Sequence, residues 1–130
     1  MNNRSFLLTL VLAAMIFVTA SGQGVGRRFP AEMMVIRDSV SGLPITVLTT
    51  DTANDSKLYQ THPQWTSDGN YIVFRSDRAG TGRRQAFAVD VHRGNIIQLT
   101  DDPAQGTGSL NLSRKKMELY YGVLRWVVQC

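Results

Sequence analysis

The chain has few residues of the types that build covalent or metal-bound frameworks. Its 130 residues include one cysteine, Cys130, and two histidines, His62 and His92. A single cysteine has no partner for a disulfide within the chain. The two histidines lie in different turns, and neither has a cysteine or a second histidine at the spacing of metal ligands. The sequence therefore predicts no internal disulfide and no metal site of its own.

Charge and periodicity exclude other classes of protein. The formal net charge of +4 is mild, and basic doublets such as Arg83-Arg84 have no interleaved aromatic residues, so we expect no nucleic-acid partner. Beyond the first 22 residues, no segment repeats apolar residues at helical spacing. Short apolar runs rich in β-branched residues instead alternate with turns, which is typical of an all-β protein.

The N-terminus has the three parts of a secretory signal peptide. Arg4 supplies positive charge, residues 6–18 are apolar, and the small residues Ala20 and Gly22 precede an expected cleavage before Gln23. The apolar run is shorter than the ~20 residues of a membrane-spanning helix. We therefore expect an exported protein, periplasmic or secreted, with no stable membrane anchor after cleavage. An uncleaved N-terminal anchor is the less favoured alternative.

Two patterns recur about 50 residues apart, which is the period of a repeat protein. Gly42 precedes a strand that ends in Leu-Thr, and Gly94 precedes a similar strand. The tight turn and strand that begin at Thr66 resemble the segment that begins at Ser113. A self-similar unit of about four strands is typical of a β-propeller blade.

The repeat divides the chain into four parts. Residues 1–22 are the signal peptide, 23–32 an extended lead-in, 33–121 a partial β-propeller with a blade core at 58–100, and 122–130 an atypical apolar tail. The predicted fold is all-β: one complete four-stranded blade with parts of two neighbours. A propeller closes with about four to eight blades, so we expect the N-terminal piece of a longer protein. A truncation or an out-of-frame tail is our hypothesis for residues 122–130.

The blade residues resemble those of TolB-type propellers, and a narrower resemblance points to the oligogalacturonate lyases. The segments that resemble TolB-type blades are Pro63–Gly69, Ile72–Phe74, Ser76-Asp77-Arg78, Val89-Asp90 and Gly94–Thr100. Those that resemble the lyases are Gly26–Pro30, Asp38 with Ser41-Gly42, Val47–Thr49, Leu58-Tyr59 and Gly106–Ser113.

The lyase resemblance implies a seven-bladed propeller that cleaves pectin-derived uronate oligomers by β-elimination. A histidine base and a manganese-type cation held by histidines and a glutamine belong to later blades of that family, so no such role is assigned to a residue here. The expected partner of the full-length parent is an acidic oligosaccharide, oligogalacturonate. The sequence does not indicate which oligomeric state the protein has. The alternatives are a TolB-type periplasmic binding scaffold and the propeller of a prolyl-oligopeptidase-type peptidase.

Two residues are candidates for substrate binding. His62 precedes the turn at Trp65 and is expected near the central face of the propeller, where the alternative is a loop histidine that packs beside Trp65. Arg78 could hold an anionic sugar through paired hydrogen bonds. Its alternative is structural, with Asp77 and Arg78 pairing with each other or with strand backbone. For both candidates the structural alternative is the favoured one.

Overall fold

The computed structural model describes residues 24–103 and 110–122. The predicted signal peptide and nearly all of the predicted tail lie outside the described residues. Within the described ranges, no helix is long and apolar enough to cross a membrane. The strands there are β1 (Arg28–Phe29), β2 (Met34–Arg37), β3 (Pro44–Val47), β4 (Ser56–Lys57), β5 (Tyr71–Ser76), β6 (Gln85–Asp90), β7 (Ile96–Gln98), β8 (Asn111–Leu112) and β9 (Leu119–Tyr120).

The central element is an antiparallel sheet with the strand order β1-β7-β6-β5-β4. Its four strands β4 to β7 confirm the predicted blade and the all-β class, and a bridge between Trp65 and Ile72 lengthens the β4 side. The fifth strand, β1, adds to β7 with Arg28 opposite Ile97. The lead-in is therefore part of the sheet. A two-residue strand has no alternating pattern, so this pairing is not visible in the sequence.

Side chains along β5 and β6 alternate between the two faces of the blade, as the pleat requires. The third-blade face consists of Leu58, Val73, Ala86, Ala88, Leu110 and Leu112. The first-blade face consists of Phe74, Phe87, Val89 and Ile96, packed against Phe29, Leu48, Ile72 and Ala79. The core thus lies between the blade and its neighbours rather than within one sheet, which is how repeat proteins bury apolar surface.

The predicted repeat reappears in the backbone hydrogen bonds. In the first turn Gly42 N donates to Asp38 O at 2.9 Å, and in the second Gly94 N donates to Asp90 O at 2.8 Å. Both glycines have positive φ, +70° and +73°, which only glycine adopts at little cost. The same correspondence links the other repeated turn, where Thr66 N donates to the carbonyl of residue 71 and Ser113 N to that of residue 118.

A buried polar network surrounds Thr100, the threonine of the Leu-Thr sequence that ends the blade. Thr100 Oγ1 accepts from Ala86 N at 2.9 Å and donates to Gln85 Oε1 at 2.8 Å. Gln98 Nε2 donates to Thr100 O at 2.8 Å. Gln85, Gln98 and Thr100 are each at most 2% exposed. Because buried polar groups need partners, this network joins the start of β6 to the end of β7.

Two hairpins flank the blade. β2 pairs with β3, and β8 pairs with β9, each as a separate two-stranded sheet. They occupy the positions predicted for the back half of a first blade and the front of a third. All four residues of β2 are exposed, so this hairpin has little packing of its own.

Candidate functional site

Arg78 lies in the loop after β5, where its side chain is enclosed rather than presented to solvent. Only 2% of the side chain is exposed. Nη1 donates to Glu32 Oε1 at 2.5 Å, and Nη2 donates to Asp55 Oδ2 at 2.7 Å. Nε donates to Ser76 Oγ at 3.0 Å. The guanidinium therefore joins the lead-in, the loop before β4 and the end of β5.

The core of the blade lies directly beneath this ion cluster. The guanidinium carbon of Arg78 is 5.2 Å from the ring centroid of Phe74 and 5.7 Å from that of Phe87. Such a placement over aromatic faces adds a cation–π attraction. The nitrogens of Arg78 are hydrogen-bonded to protein carboxylates and a hydroxyl. This arrangement fits a structural role for Arg78 rather than the binding of a sugar.

Asp77 and Arg78 have different partners, so the structural alternative in which they pair with each other is not the arrangement found. Asp77 instead accepts hydrogen bonds from Asn54, at 2.9 Å from the backbone N and 2.6 Å from Nδ2. These bonds lower the pKa of the Asp77 carboxyl. The actual partner Glu32 lies 46 residues before Arg78. No local spacing signals an ion pair of that separation, because it depends on how the lead-in packs on the blade.

His62 lies in the loop before Trp65 and is half-buried. Its Nδ1 is 3.0 Å from Leu110 O, and its ring centroid is 5.7 Å from that of Tyr59. Because a carbonyl oxygen only accepts, Nδ1 must carry the proton, so Nε2 is the acceptor of the neutral ring. The ring of Tyr59 contacts His62, and His62 links the blade to the segment that enters β8.

The two candidate residues are not brought together. His62 contacts Leu110 on the third-blade face, whereas Arg78 lies against Phe74 and Phe87 on the first-blade face. The blade sheet separates them. A single substrate would have to contact them from opposite sides of the sheet, so they do not form one binding site.

The described residues do not fit the divalent cation implied by the family resemblance. Among them no three histidine, cysteine, aspartate or glutamate side chains converge as a metal site would require. The carboxylates of Glu32 and Asp55 both pair with Arg78. A cation placed there would have to displace a buried guanidinium, which removes the charge that already compensates the pair.

Two clefts in the described part of the chain differ in chemistry. The larger, about 380 Å³, is lined by Val73 and Ala88 of the blade and by Leu112 and Leu119 of β8 and β9, and it is mainly apolar. The smaller, about 230 Å³, lies beside the first-blade face and includes Asp55, Lys57 and Gln64. In the smaller cleft the Asp55 carboxylate is already paired with Arg78, and Lys57 is the basic lining residue. Neither cleft presents the convergent cationic groups that an acidic sugar needs.

Comparisons with known proteins identify the fold by structure alone. No protein-family model and no curated protein significantly matches the sequence. The structure is similar to an oligogalacturonate lyase in complex with manganese, with a TM-score of 0.66 and 22% identity. It is also similar to an oligogalacturonate lyase from Vibrio parahaemolyticus, with a TM-score of 0.67 and 20% identity.

Both similarities extend over most of the described residues but over a minor part of the lyases. Each covers 76% of this chain and 26% of the solved chain. The chain thus spans about a quarter of the length of the lyases that it matches. A match of that extent includes more residues than the blade core alone. The chain therefore has an oligogalacturonate lyase-like fold.

Proposed function

We propose that this chain is the N-terminal part of an exported, oligogalacturonate lyase-like β-propeller that acts on pectin-derived uronate oligomers by β-elimination. The observation that carries the proposal is the similarity over 76% of the chain to a lyase that binds manganese. The resemblance of Gly26–Pro30 and Gly106–Ser113 to the same lyases supports it independently, since those segments lie outside the blade core.

The proposed reaction needs two groups that other parts of the parent would have to supply. A base removes the proton next to the uronate carboxyl group, and a divalent cation such as manganese stabilises the negative charge that develops. Arg78 and its carboxylates hold the lead-in on the blade instead. The contribution of this chain is therefore architectural: it supplies an intact blade and the surfaces on which neighbouring blades pack.

His62 is the better of the two candidates for substrate contact in the parent. Its Nδ1 is engaged by Leu110 O, while no hydrogen bond within the described residues uses Nε2. An imidazole nitrogen of this kind accepts a hydrogen bond from a sugar hydroxyl. In the parent, His62→Ala should weaken oligogalacturonate binding, and His92→Ala in an exposed turn is the matched control. Equal binding by both variants would contradict the role of His62.

The proposal is tested by the DNA that follows the codon for Cys130. We expect one frame to continue with blade repeats that contain the histidine and glutamine ligands. The protein expressed from that frame should convert oligogalacturonate to unsaturated product, seen as ultraviolet absorbance, and chelation of manganese should abolish the signal. A Gly-x-Ser-x-Gly nucleophile elbow in the continuation would favour a peptidase instead. Absence of blade sequence in every frame would contradict the proposal.

The 130-residue chain itself should be inactive in the same assay. It has no cluster of metal-ligating side chains in its described residues. Incubation with oligogalacturonate and manganese should leave the absorbance at the level of the blank, with a solved lyase as positive control. A manganese-dependent rise with the purified chain would show that it carries catalytic groups of its own.

A further inference from the structure

We propose that copies of this chain associate head to tail, with the β8–β9 hairpin of one copy and the β2–β3 hairpin of the next forming one four-stranded blade. In that blade, β9 of one copy pairs with β2 of the other. Such a contact uses the chain as it stands and requires no catalytic group of a longer parent. The register of the two hairpins, their open edges and their positions on opposite sides of the complete blade support it.

The β2–β3 hairpin has the register of β6 and β7, the back half of the complete blade. The turns at Gly42 and Gly94 are closed by the same backbone hydrogen bonds. Ile36 in β2 and Ala88 in β6 lie at the same distance before these glycines, and each is paired with the following strand. Ile36 is therefore the counterpart of Ala88.

The β8–β9 hairpin has the register of the front half of the blade. Leu119 of β9 pairs with β8 at the place where Ile72 of β5 bridges Trp65. The turns that precede these two residues share the same backbone hydrogen bond. Tyr120 is therefore the counterpart of Val73, the residue that follows Ile72 in β5.

The complete blade shows how the two halves fit together. Val73 of β5 lies opposite Ala88 of β6 in an antiparallel pair. In a blade formed by two copies, the same register places Tyr120 of one copy opposite Ile36 of the other. Tyr120 is 56% exposed and Ile36 is 41% exposed, so the contact removes apolar surface of both copies from water.

Both hairpins have an open edge at the required position. Among the strands of residues 24–103 and 110–122, β9 pairs with β8 alone and β2 pairs with β3 alone. An isolated two-stranded sheet is marginally stable, whereas three or more strands support one another. An open strand edge presents unpaired backbone donors and acceptors to another strand. Pairing of β9 with β2 satisfies both edges and converts two weak sheets into one of four strands.

The two hairpins of one chain are separated by the complete blade. Leu48, directly after β3, packs on the first-blade face, whereas Leu112 of β8 belongs to the third-blade face. The contact therefore joins different surfaces of different copies, and repetition of such a contact gives a ring or a filament. Because each copy carries one whole blade and two half-blades, about two to four copies would supply the four to eight blades of a closed ring.

Cysteine cross-linking tests the register of the contact. Ile36→Cys and Tyr120→Cys are introduced into separate chains, each with Cys130→Ser to remove the native thiol. Directly opposite residues of an antiparallel pair have Cα atoms about 4.5–5.5 Å apart, within the range of about 4.4–6.8 Å that a disulfide spans. Mild oxidation of the mixture should therefore give a disulfide-linked heterodimer.

The control replaces Ile36→Cys by Val40→Cys, at a position 93% exposed in the β2–β3 turn. The heterodimer yield with Ile36→Cys should be severalfold higher than with this control. Equal yields would overturn the proposal. A homodimer of Ile36→Cys that forms more readily than the heterodimer would also overturn it, because it would indicate symmetric pairing between two β2 strands.

Two residues have backbone amides that only the contact between copies would use. Asp38 N donates to Leu43 O on the β3 side, and successive amides of a strand point to opposite sides, so Val35 N faces the open edge of β2. By the same alternation Tyr121 N faces the open edge of β9. Proline is tolerated where its missing N–H would face solvent but not within a sheet. Val35→Pro and Tyr121→Pro therefore each block one end of the chain.

Mixing the two proline variants distinguishes head-to-tail association from unspecific association. Each variant alone should be monomeric at a concentration where the unmodified chain associates. An equimolar mixture should form heterodimers and nothing larger, because β9 of the Val35→Pro copy and β2 of the Tyr121→Pro copy are both intact. Analytical ultracentrifugation measures the species, and circular dichroism checks that each variant is folded. Folded variants that stay monomeric in the mixture, or that associate alone, would overturn the proposal.

Discussion

At the residue scale, Arg78 has more structural consequences than its position in a loop indicates. A guanidinium that is 2% exposed cannot be left without counter-charges, and Glu32 and Asp55 supply them from two other segments. The carboxylate of Glu32 also accepts from Thr50 N at 3.0 Å and Asp51 N at 3.1 Å. The lead-in, the loop after β3 and the blade are therefore joined through one connected set of polar contacts.

Substitution of Arg78 should destabilise the fold strongly. Arg78→Met leaves two partly buried carboxylates without their partner, and breaking a buried ion pair in this way costs about 3–5 kcal/mol. Arg78→Lys keeps the charge but loses the fork that reaches both acids, so it should cost less. Urea unfolding followed by circular dichroism measures both. Arg83→Met, at an exposed position, is the control and should change stability by less than about 0.5 kcal/mol.

Two aspartates in turns, Asp68 and Asp90, make the stability of the fold depend on pH. Hydrogen bonds from the Thr66 hydroxyl and from Asn70 lower the pKa of Asp68, and backbone amides of His92 and Arg93 lower that of Asp90. A carboxyl whose pKa is lower folded than unfolded stabilises the fold above the unfolded value. That contribution is lost as the pH falls through the lower folded value. Stability should therefore decrease as the pH drops below about 4.

Asp68→Asn tests the origin of this acid dependence. The amide cannot ionise, so the variant should be less stable than the parent chain near neutral pH and should lose less stability on acidification. The measurement is the urea midpoint at several pH values between neutrality and the acid range. Identical pH profiles for the variant and the parent chain would assign the acid dependence to other groups.

At the element scale, the turn at Gly94 determines how closely the lead-in approaches the blade. A Cβ at Gly94 would lie 2.6 Å from Met33 Cβ and 3.2 Å from Ala31 Cβ. Real Cβ atoms do not approach so closely, so Gly94→Ala must push the lead-in away from β7. A positive φ alone costs an alanine about 1–2 kcal/mol, and the clash should add about 1–3 kcal/mol.

Gly80→Ala is the matched control for that variant. Gly80 has φ +76°, close to the +73° of Gly94, but a Cβ there meets nothing within 4 Å. Both substitutions therefore impose the same backbone strain, and only Gly94→Ala displaces the lead-in. Urea unfolding should show the larger loss for Gly94→Ala, and limited proteolysis should cut its lead-in faster. Equal losses in the two variants would mean that the close approach to Met33 is unimportant.

The sequence predicts the elements whose signals are local and misses those that depend on distant packing. The turns at Gly42, Asp68 and Gly94 and the strands beside them follow from turn residues and alternation. In the turn at Asp68, the carboxylate accepts a 3.0 Å hydrogen bond from Asn70 N, which is a local contact typical of a turn aspartate. The pairing of β1 with β7 is not predictable in this way, because its residues gain their partners only after the chain has folded.

The candidate site likewise combines residues that are recognisable from local sequence with contacts that depend on distant packing. Arg78 is recognisable from its Ser-Asp-Arg motif, but the motif does not identify Glu32, which is 46 residues away. The His62 contact with Leu110 O spans 48 residues and has no local signature either. The turns are thus predictable from the sequence here. The face of the blade on which each side chain lies is not, because it depends on three-dimensional packing.

At the scale of the whole molecule, apolar side chains lie on both faces of the blade, where the neighbouring parts of the propeller pack. The blade itself is well covered, since Phe87 and Ile96 are fully buried between it and the first-blade segments. The β2–β3 hairpin is not. Ile36 and Ile45 lie opposite each other across its two strands, and they are 41% and 45% exposed. Exposed strands with apolar side chains are sites of association.

The chain should therefore self-associate through the β2–β3 hairpin. Ile36 and Ile45 lie on one face because directly opposite residues in an antiparallel pair point the same way. Ile45→Lys introduces a charge on that face and should raise the concentration at which the chain aggregates. Light scattering and gel filtration over a concentration series measure this threshold. Val25→Lys is the control, because Val25 is 69% exposed but lies outside the hairpin. If both lysine variants raise the threshold equally, net charge rather than the hairpin face governs association.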